Sequence, residues 1–115
     1  MGADFKNITF NEALELAKQE NKFLMFMIEE EYCPWCKKIK AVTLKDKNVN
    51  EILDDKYISL KLYKNAKYPK KFHTRMVPTI FLINPQNNKI LKKIIGYIGP
   101  ASFEDKLFIE SHFTN

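Results

Sequence analysis

The stretch EEEYCPWCKKIK, residues 29–40, contains both cysteines of the chain, Cys33 and Cys36. An apolar run, FLMFMI at residues 23–28, comes directly before it, and basic residues follow the second cysteine. The apolar run has the length of a buried strand, and Pro34 suits the first turn of a helix, where its missing N–H costs no hydrogen bond. The stretch therefore predicts a strand that leads into a helix, with the two cysteines at the junction.

The segments on either side predict one α/β domain over residues 1–115. Thr9 stands three residues before Glu12, which is the spacing of a capping box at a helix start. The predicted helices are 11–20, Cys33 to about Leu44, 48–55 and Ala101 to about His112, and residues 64–75 hold at most a short one. The predicted strands are 23–28, 57–63, 79–84 and 89–95, the last two joined by a turn at 85–88. This order places a central mixed sheet of about four strands between flanking helices.

Composition and charge exclude several classes of protein. With 115 residues and 45% hydrophobic content, the chain can bury one core but not two. Its longest apolar run is about a third of the length that a membrane-spanning helix needs. The net charge is +5, but the lysines are spread along the chain and Arg75 is the only arginine, so we expect no nucleic-acid partner. Net positive charge weakly favours acidic protein partners.

The position of the two cysteines favours thiol chemistry. A thiol on Cys33 would meet the unpaired N–H groups of a helix N-terminus, and Lys37 and Lys38 follow closely, so we expect its pKa to lie below the usual value. Cys36 would lie one turn further along the same face, close enough to attack a mixed disulfide on Cys33. The carboxylates of residues 29–31 oppose thiolate formation, but we expect all three to be exposed and screened by solvent.

Three other interpretations of the cysteines remain open at this point. A structural zinc site would have to use His73 and His112, whose spacing lies outside the usual zinc-finger patterns. A covalently attached c-type haem requires a histidine after the second cysteine, where this chain has Lys37. Two inert core thiols are the third alternative, although the junction of a strand and a helix is a poor place to bury sulfur. We expect no metal site.

The motifs YCPWCKK, MVPT at residues 76–79 and GY at 96–97 resemble the thioredoxin superfamily. The similarity covers nearly the whole chain in element order and is greatest to small periplasmic thioredoxin-like proteins and the C-terminal domain of DsbD. It implies a redox-active disulfide between Cys33 and Cys36 and no further cofactor, with Cys33 as nucleophile and Cys36 as resolving thiol. It also implies that Pro78 is a cis proline facing the disulfide and that the Val77 backbone pairs with the substrate chain.

The chain departs from the family pattern at two positions. Members of the family usually carry a buried aspartate six residues before the first cysteine, which accepts the proton of the second thiol, and this chain has Met27 there. Proton transfer from Cys36 must then use another group or water, and we predict that Glu30 is this group. The usual tryptophan before the first cysteine is Tyr32. An apolar rim around Cys33 is expected to form the protein-binding surface, and it consists of Tyr32, Trp35, Met76, Val77 and Tyr97.

The resemblance implies a thiol–disulfide oxidoreductase that acts on cysteine-containing proteins through mixed disulfides. The Pro-Trp pair between the cysteines is more similar to the Pro-Tyr of glutaredoxins and the Pro-His of DsbA than to the Gly-Pro of thioredoxin. Similarity to the DsbD domain favours a periplasmic reductase, supplied by a membrane electron donor of the DsbD type. We expect a soluble monomer whose signal peptide is absent from this sequence; a cytoplasmic location is the alternative. A disulfide donor or isomerase, or a non-catalytic binding module, are the alternative functions.

Overall fold

The computed structural model describes residues 2–109, and its elements follow the predicted order. The helices are α1 (Phe10–Glu20), α2 (Pro34–Ala41), α3 (Lys47–Lys56) and α4 (Pro100–Leu107), with 3₁₀ turns at Thr43–Lys45 and Lys70–Phe72. The strands are β1 (Phe23–Glu29), β2 (Tyr57–Tyr63), β3 (Thr79–Asn84) and β4 (Lys89–Ile95). The predicted mixed sheet of four strands, flanked by helices, is confirmed.

The sheet has the order β2-β1-β3-β4, so that β1 lies inside it. Strand β1 runs parallel to β2 and antiparallel to β3, and β3 and β4 form the predicted hairpin. The N-terminal segment contacts the outer side of β2 at Ser59, where Phe5 forms a bridge and the Lys6 N–H donates to the Ser59 carbonyl at 2.9 Å. The inner strand β1 ends at Glu29, so its carboxyl end leads directly to the cysteines.

The two faces of β1 bury two separate hydrophobic clusters, because successive side chains of a strand point to opposite faces. Leu24, Phe26 and Ile28 pack with α1 on one face. Met25 and Met27 pack on the other face with buried side chains of α2, α3 and α4. The second cluster also contains Cys33 and Cys36, so one layer of the core lies directly beneath the cysteine pair.

The capping box at the start of α1 is confirmed, since the Thr9 side chain and the Glu12 side chain each accept from the other residue's backbone N–H. The prediction that the second helix runs to Leu44 was wrong. Helix α2 is followed at once by the β-branched Val42 and Thr43, which have low helix propensity. There the chain enters a 3₁₀ turn, and the Thr43 hydroxyl donates to the Ile98 carbonyl at 2.6 Å.

The last helix is also shorter than predicted. It begins at Pro100, ends at Leu107, and leaves Phe108 outside the helix with its side chain 77% exposed. Phe103 and Leu107 are buried as the helical spacing predicted. The predicted end of this helix at His112 lies outside the described residues.

Candidate active site

The cysteine pair lies where β1 gives way to α2. Cys33 is the N-cap of α2 and Pro34 is its first residue, as predicted from the sequence. A disulfide joins Cys33 to Cys36, and the Cys36 N–H donates to the Cys33 Sγ at 3.1 Å. Cys33 retains 8% of its surface and Cys36 only 1%. The same N–H would stabilise a thiolate on Cys33 after reduction, because a hydrogen bond to the charged form favours that form.

The segment before β3 lies against the first cysteine. The Cys33 Sγ is 3.9 Å from the Val77 carbonyl oxygen, and the Val77–Pro78 peptide bond is cis. Thr79 supports this segment, since its hydroxyl donates to the Met76 carbonyl at 2.6 Å. The Pro78 carbonyl accepts from the Gly96 N–H at 2.8 Å, which connects the segment to the end of β4. The backbone next to Cys33 is thus fixed from two directions.

The structure brings two residues of the predicted apolar rim, Trp35 and Tyr97, into contact, and it places a third, Val77, against Cys33. Tyr32 is 86% exposed, Trp35 55% and Met76 57%, while Val77 and Tyr97 are partly buried. The rings of Trp35 and Tyr97 lie with centroids 5.8 Å apart. The Lys38 ammonium lies 5.3 Å from the Trp35 ring and 5.0 Å from the Tyr97 ring, within cation–π range. Trp35 therefore packs on a neighbour and still presents half of its surface to solvent.

One of the three carboxylates before the cysteines is buried, which corrects the expectation that all three are exposed. Glu29 is the last residue of β1, on the same face as Met25 and Met27, and only 3% of it is exposed. Its Oε1 lies 2.6 Å from the Lys40 ammonium on α2, and its Oε2 lies 3.5 Å from the Lys61 ammonium on β2. A buried carboxylate needs such partners because an unpaired charge is costly away from water.

Sequence reasoning missed this ion-paired group, although two signals pointed to it. Residue 29 continues the two-residue alternation that places Met25 and Met27 on the α2 side of the sheet. Lys40 stands four residues after Cys36, which places the two side chains on one face of α2. The predicted proton-transfer residue, Glu30, is exposed.

An open pocket of about 240 Å³ lies beside the second cysteine. Its walls include Glu29, Glu30, Glu31, Cys36, Lys40 and Tyr63. Met27 does not reach it, since that side chain is fully buried beneath the cysteines. Cys36, although almost inaccessible itself, thus borders a space that is open to water and contains both carboxylate and ammonium groups.

Neither a metal cluster nor a membrane span is found among residues 2–109. No three histidine, cysteine, aspartate or glutamate side chains in this range are grouped so that they could hold a metal ion. None of the helices in the same range is both long and apolar enough to cross a membrane. His112, one of the two histidines considered for zinc, lies outside the range.

Comparisons with known proteins agree with this geometry. A family model described as a thioredoxin-like domain matches residues 10–108. No curated protein sequence matches the chain. Among solved structures, a thioredoxin from Thermus thermophilus is similar over 93% of this chain and 85% of its own, with a TM-score of 0.78 and 20% identity.

Two further solved structures have the same fold. The oxidised C-terminal domain of Neisseria meningitidis DsbD matches 90% of this chain and 95% of its own, with a TM-score of 0.68 and 17% identity. The periplasmic thioredoxin SoxS from Paracoccus pantotrophus, in its reduced form, matches 75% and 92%, with a TM-score of 0.60 and 17% identity. At these identities the likeness to the solved structures is one of fold.

Proposed function

The chain belongs to the thioredoxin superfamily as a thiol–disulfide oxidoreductase, and we propose that it reduces disulfides of cysteine-containing proteins in the periplasm. The observation that carries the proposal is the Cys33–Cys36 disulfide at the start of α2, with the Cys33 Sγ facing the Val77 carbonyl. The structural likeness to the DsbD domain and to a periplasmic thioredoxin supports the direction and the compartment.

The reaction follows from the order in which the two sulfurs can be reached. In the reduced protein, the Cys33 thiolate attacks a substrate disulfide, so that a Cys33–substrate S–S bond forms and one substrate sulfur leaves as a thiolate. Cys36 then loses its proton and attacks the Cys33 sulfur. The Cys33–Cys36 bond forms, and the second substrate thiol is released. A dithiol donor, proposed to be a membrane protein of the DsbD type, must reduce the disulfide again before the next cycle.

We assign substrate binding to the rim and to the segment before β3. The Val77 carbonyl, already next to the Cys33 sulfur, is placed to accept a hydrogen bond from an extended substrate backbone. Pro78 follows it and is buried. The exposed rings of Tyr32 and Trp35 supply the apolar contacts of a protein-binding surface. The rim is completed by Met76, Val77 and Tyr97.

The predicted role of Glu30 in proton transfer stays a prediction. The side chain borders the pocket beside Cys36, but it is exposed. A carboxylate in contact with water is screened and well hydrated, so it has less influence on a nearby thiol than a buried charge has. The buried Glu29 and its lysine partners are better placed to act on Cys36.

The redox equilibrium of the Cys33–Cys36 pair against glutathione buffers tests the proposed direction. A reduction potential close to about −270 mV supports a reductase, and one close to about −120 mV would overturn it in favour of a disulfide donor. Turnover of a protein disulfide with dithiothreitol as reductant should be lost in Cys33→Ser. Retention of turnover in that variant would show that the cysteine pair does not carry the activity.

A further inference from the structure

Three charged side chains meet beside the second cysteine, and their charges do not cancel. The Glu29 carboxylate lies between the ammonium groups of Lys40 and Lys61, so the group as a whole carries one positive charge. Only 5% of the Glu29 side chain is exposed, against 33% for Lys40 and 37% for Lys61. The carboxylate is therefore the fixed member of the group, and it holds two partly exposed lysines in place.

Lys40 is the member of this group that comes closest to Cys36 along the chain. The two residues stand four positions apart on α2, so their side chains share a face of the helix. Both also border the same open pocket. At the position where the family usually has a buried acid, Met27 provides no charge and no proton acceptor.

From this arrangement we infer that Lys40, positioned by Glu29, stabilises the thiolate of Cys36 when this thiol resolves a mixed disulfide. The inference deepens the proposed function and rests on its oxidoreductase chemistry, but not on the direction of electron flow. An ammonium group near a thiol favours the charged form of that thiol. The acid of the family would take up the proton, whereas Lys40 makes the loss of the proton to water easier.

The step is balanced without a further reactant. Cys36 gives its proton to water in the adjoining pocket, and its thiolate attacks the Cys33 sulfur. The Cys33–Cys36 bond forms, the Cys33–substrate bond breaks, and the substrate thiolate takes a proton from water. Other titratable groups also border the pocket beside Cys36. These are Glu30, Glu31 and Tyr32 from the turn, Lys37 from α2 and Tyr63 from β2.

The test begins with the Cys36 thiol alone. In a Cys33→Ser background, thiolate absorbance and the alkylation rate are followed against pH. Lys40→Met should raise the pKa of the Cys36 thiol, and Lys40→Arg should restore it, because arginine keeps the charge. Lys47→Met removes an exposed lysine from the start of α3 and is the matched control for net charge. Circular dichroism verifies that each variant is folded, and Lys40→Gln replaces the methionine variant if that one is not.

A second measurement follows resolution itself. A mixed disulfide between Cys33 and glutathione is prepared, and the release of glutathione is timed at several pH values. At a pH below the pKa of the Cys36 thiol, raising that pKa by one unit lowers the thiolate fraction tenfold. The remaining thiolate is more nucleophilic, so the release of glutathione should slow only about threefold. Lys40→Met should show this slowing and Lys40→Arg should not. Unchanged titration and release in Lys40→Met would overturn the inference.

Glu29→Gln separates thiolate stabilisation from direct proton transfer. If Lys40 acts by charge, removal of the neighbouring negative charge offsets any loosening of Lys40, and Glu29→Gln should slow release less than Lys40→Met does. If the Glu29 carboxylate accepted the proton, Glu29→Gln would slow release more than Lys40→Met, and the inference would be wrong. Neither measurement uses a protein substrate, so a failure here is distinct from a failure of the proposed reductase function.

Discussion

Met27 and Cys36 pack in one hydrophobic cluster, with 0% and 1% of their surfaces exposed. Residue 27 is thus buried in the core layer beneath the cysteine pair, where the sequence resemblance placed the missing acid. A methionine there contributes apolar contacts and no charge. The stability of the domain and the ease of proton loss from Cys36 are therefore linked through a single position.

Met27→Asp should have two effects that can be measured independently: a lower stability of the domain and a changed rate of disulfide reduction. A carboxyl group buried with little compensation costs a few kcal/mol, about 1 to 3 on the scale of protein mutations. The new acid could take the Cys36 proton, so disulfide reduction near neutral pH should become faster if resolution limits turnover. Urea unfolding measures the first effect and insulin reduction the second. Met27→Leu, which preserves an apolar side chain, should change both much less. Unchanged stability in Met27→Asp would contradict the burial of this position.

The two cysteines should differ in reactivity after reduction. Cys33 is the more exposed of the pair and accepts the Cys36 N–H at the helix N-terminus, so it should be the more ionised thiol. At pH near 6, Cys33 in a Cys36→Ser variant should react with iodoacetamide much faster than Cys36 in a Cys33→Ser variant. Mass spectrometry of the singly alkylated wild-type protein provides the comparison within one molecule. Equal rates, or a faster Cys36, would reverse the assigned roles.

Trp35→Ala should weaken the use of protein substrates without affecting small ones. The ring is 55% exposed and packs on Tyr97, so its loss removes rim surface with little effect on the core. We expect KM for a protein disulfide to rise about fivefold to tenfold, the range for a contact worth about 1 kcal/mol or somewhat more. The rate at which dithiothreitol, a small substrate, reduces the Cys33–Cys36 disulfide should not change. Ile90→Ala, at the far end of the β3–β4 hairpin, is the control. Equal losses with both substrates would argue against a binding role.

The stability of the domain should fall at high pH because of the buried phenol of Tyr57. Burial raises the pKa of its phenol far above the usual value of about 10, and its hydroxyl donates to the Leu107 carbonyl at 2.7 Å. Below pH 10 the Tyr57 phenol keeps its proton in both the folded and the unfolded protein, and its contribution to stability is fully present. Above pH 10 only the unfolded state releases it, so the free energy of unfolding falls by about 1.4 kcal/mol per pH unit until the folded-state pKa is reached.

Tyr57→Phe tests this pH dependence. At pH 8 the variant should be less stable by about 1 kcal/mol, because a buried hydrogen bond is lost. Above pH 10 its stability should fall less steeply than that of the wild type. The gap in unfolding free energy between the two proteins should therefore narrow. Urea unfolding of the oxidised protein at pH 8 and pH 11 measures both. Tyr63→Phe removes a phenol that is 51% exposed and is the control. A gap that widens with pH would contradict the prediction.

The strands were predictable from the sequence because β1, β2 and β3 are mostly apolar and the turn at 85–88 separates β3 from β4. The predicted bounds 57–63, 79–84 and 89–95 are those of β2, β3 and β4. Helix ends were predicted less well, since Leu44 and Phe108 lie outside the helices that apolar spacing assigned to them. Spacing alone does not reveal where the backbone leaves the helix, which at Thr43 coincides with a hydrogen bond to the distant Ile98.

The cysteine pair was predictable because a short motif carries its chemistry, whereas the sequence indicates the environment of Glu29 only in part. Whether a residue at a strand end is buried depends on what packs over it. Lys40 and Lys61 belong to a different helix and a different strand, and only the fold brings both of them to Glu29. Three consecutive glutamates look alike in the sequence and differ in the structure.

The two edges of the sheet differ in a way that bears on self-association. Residues 5 and 6 pair with Ser59 on the outer side of β2, so that edge is partly covered. Strand β4 forms the other edge and carries Lys89, Lys92 and Lys93. Two copies that met edge to edge along β4 would bring these ammonium groups together, and lysines on an edge strand are a common protection against such pairing. The basic composition of the chain thus opposes the growth of sheets between molecules at high concentration.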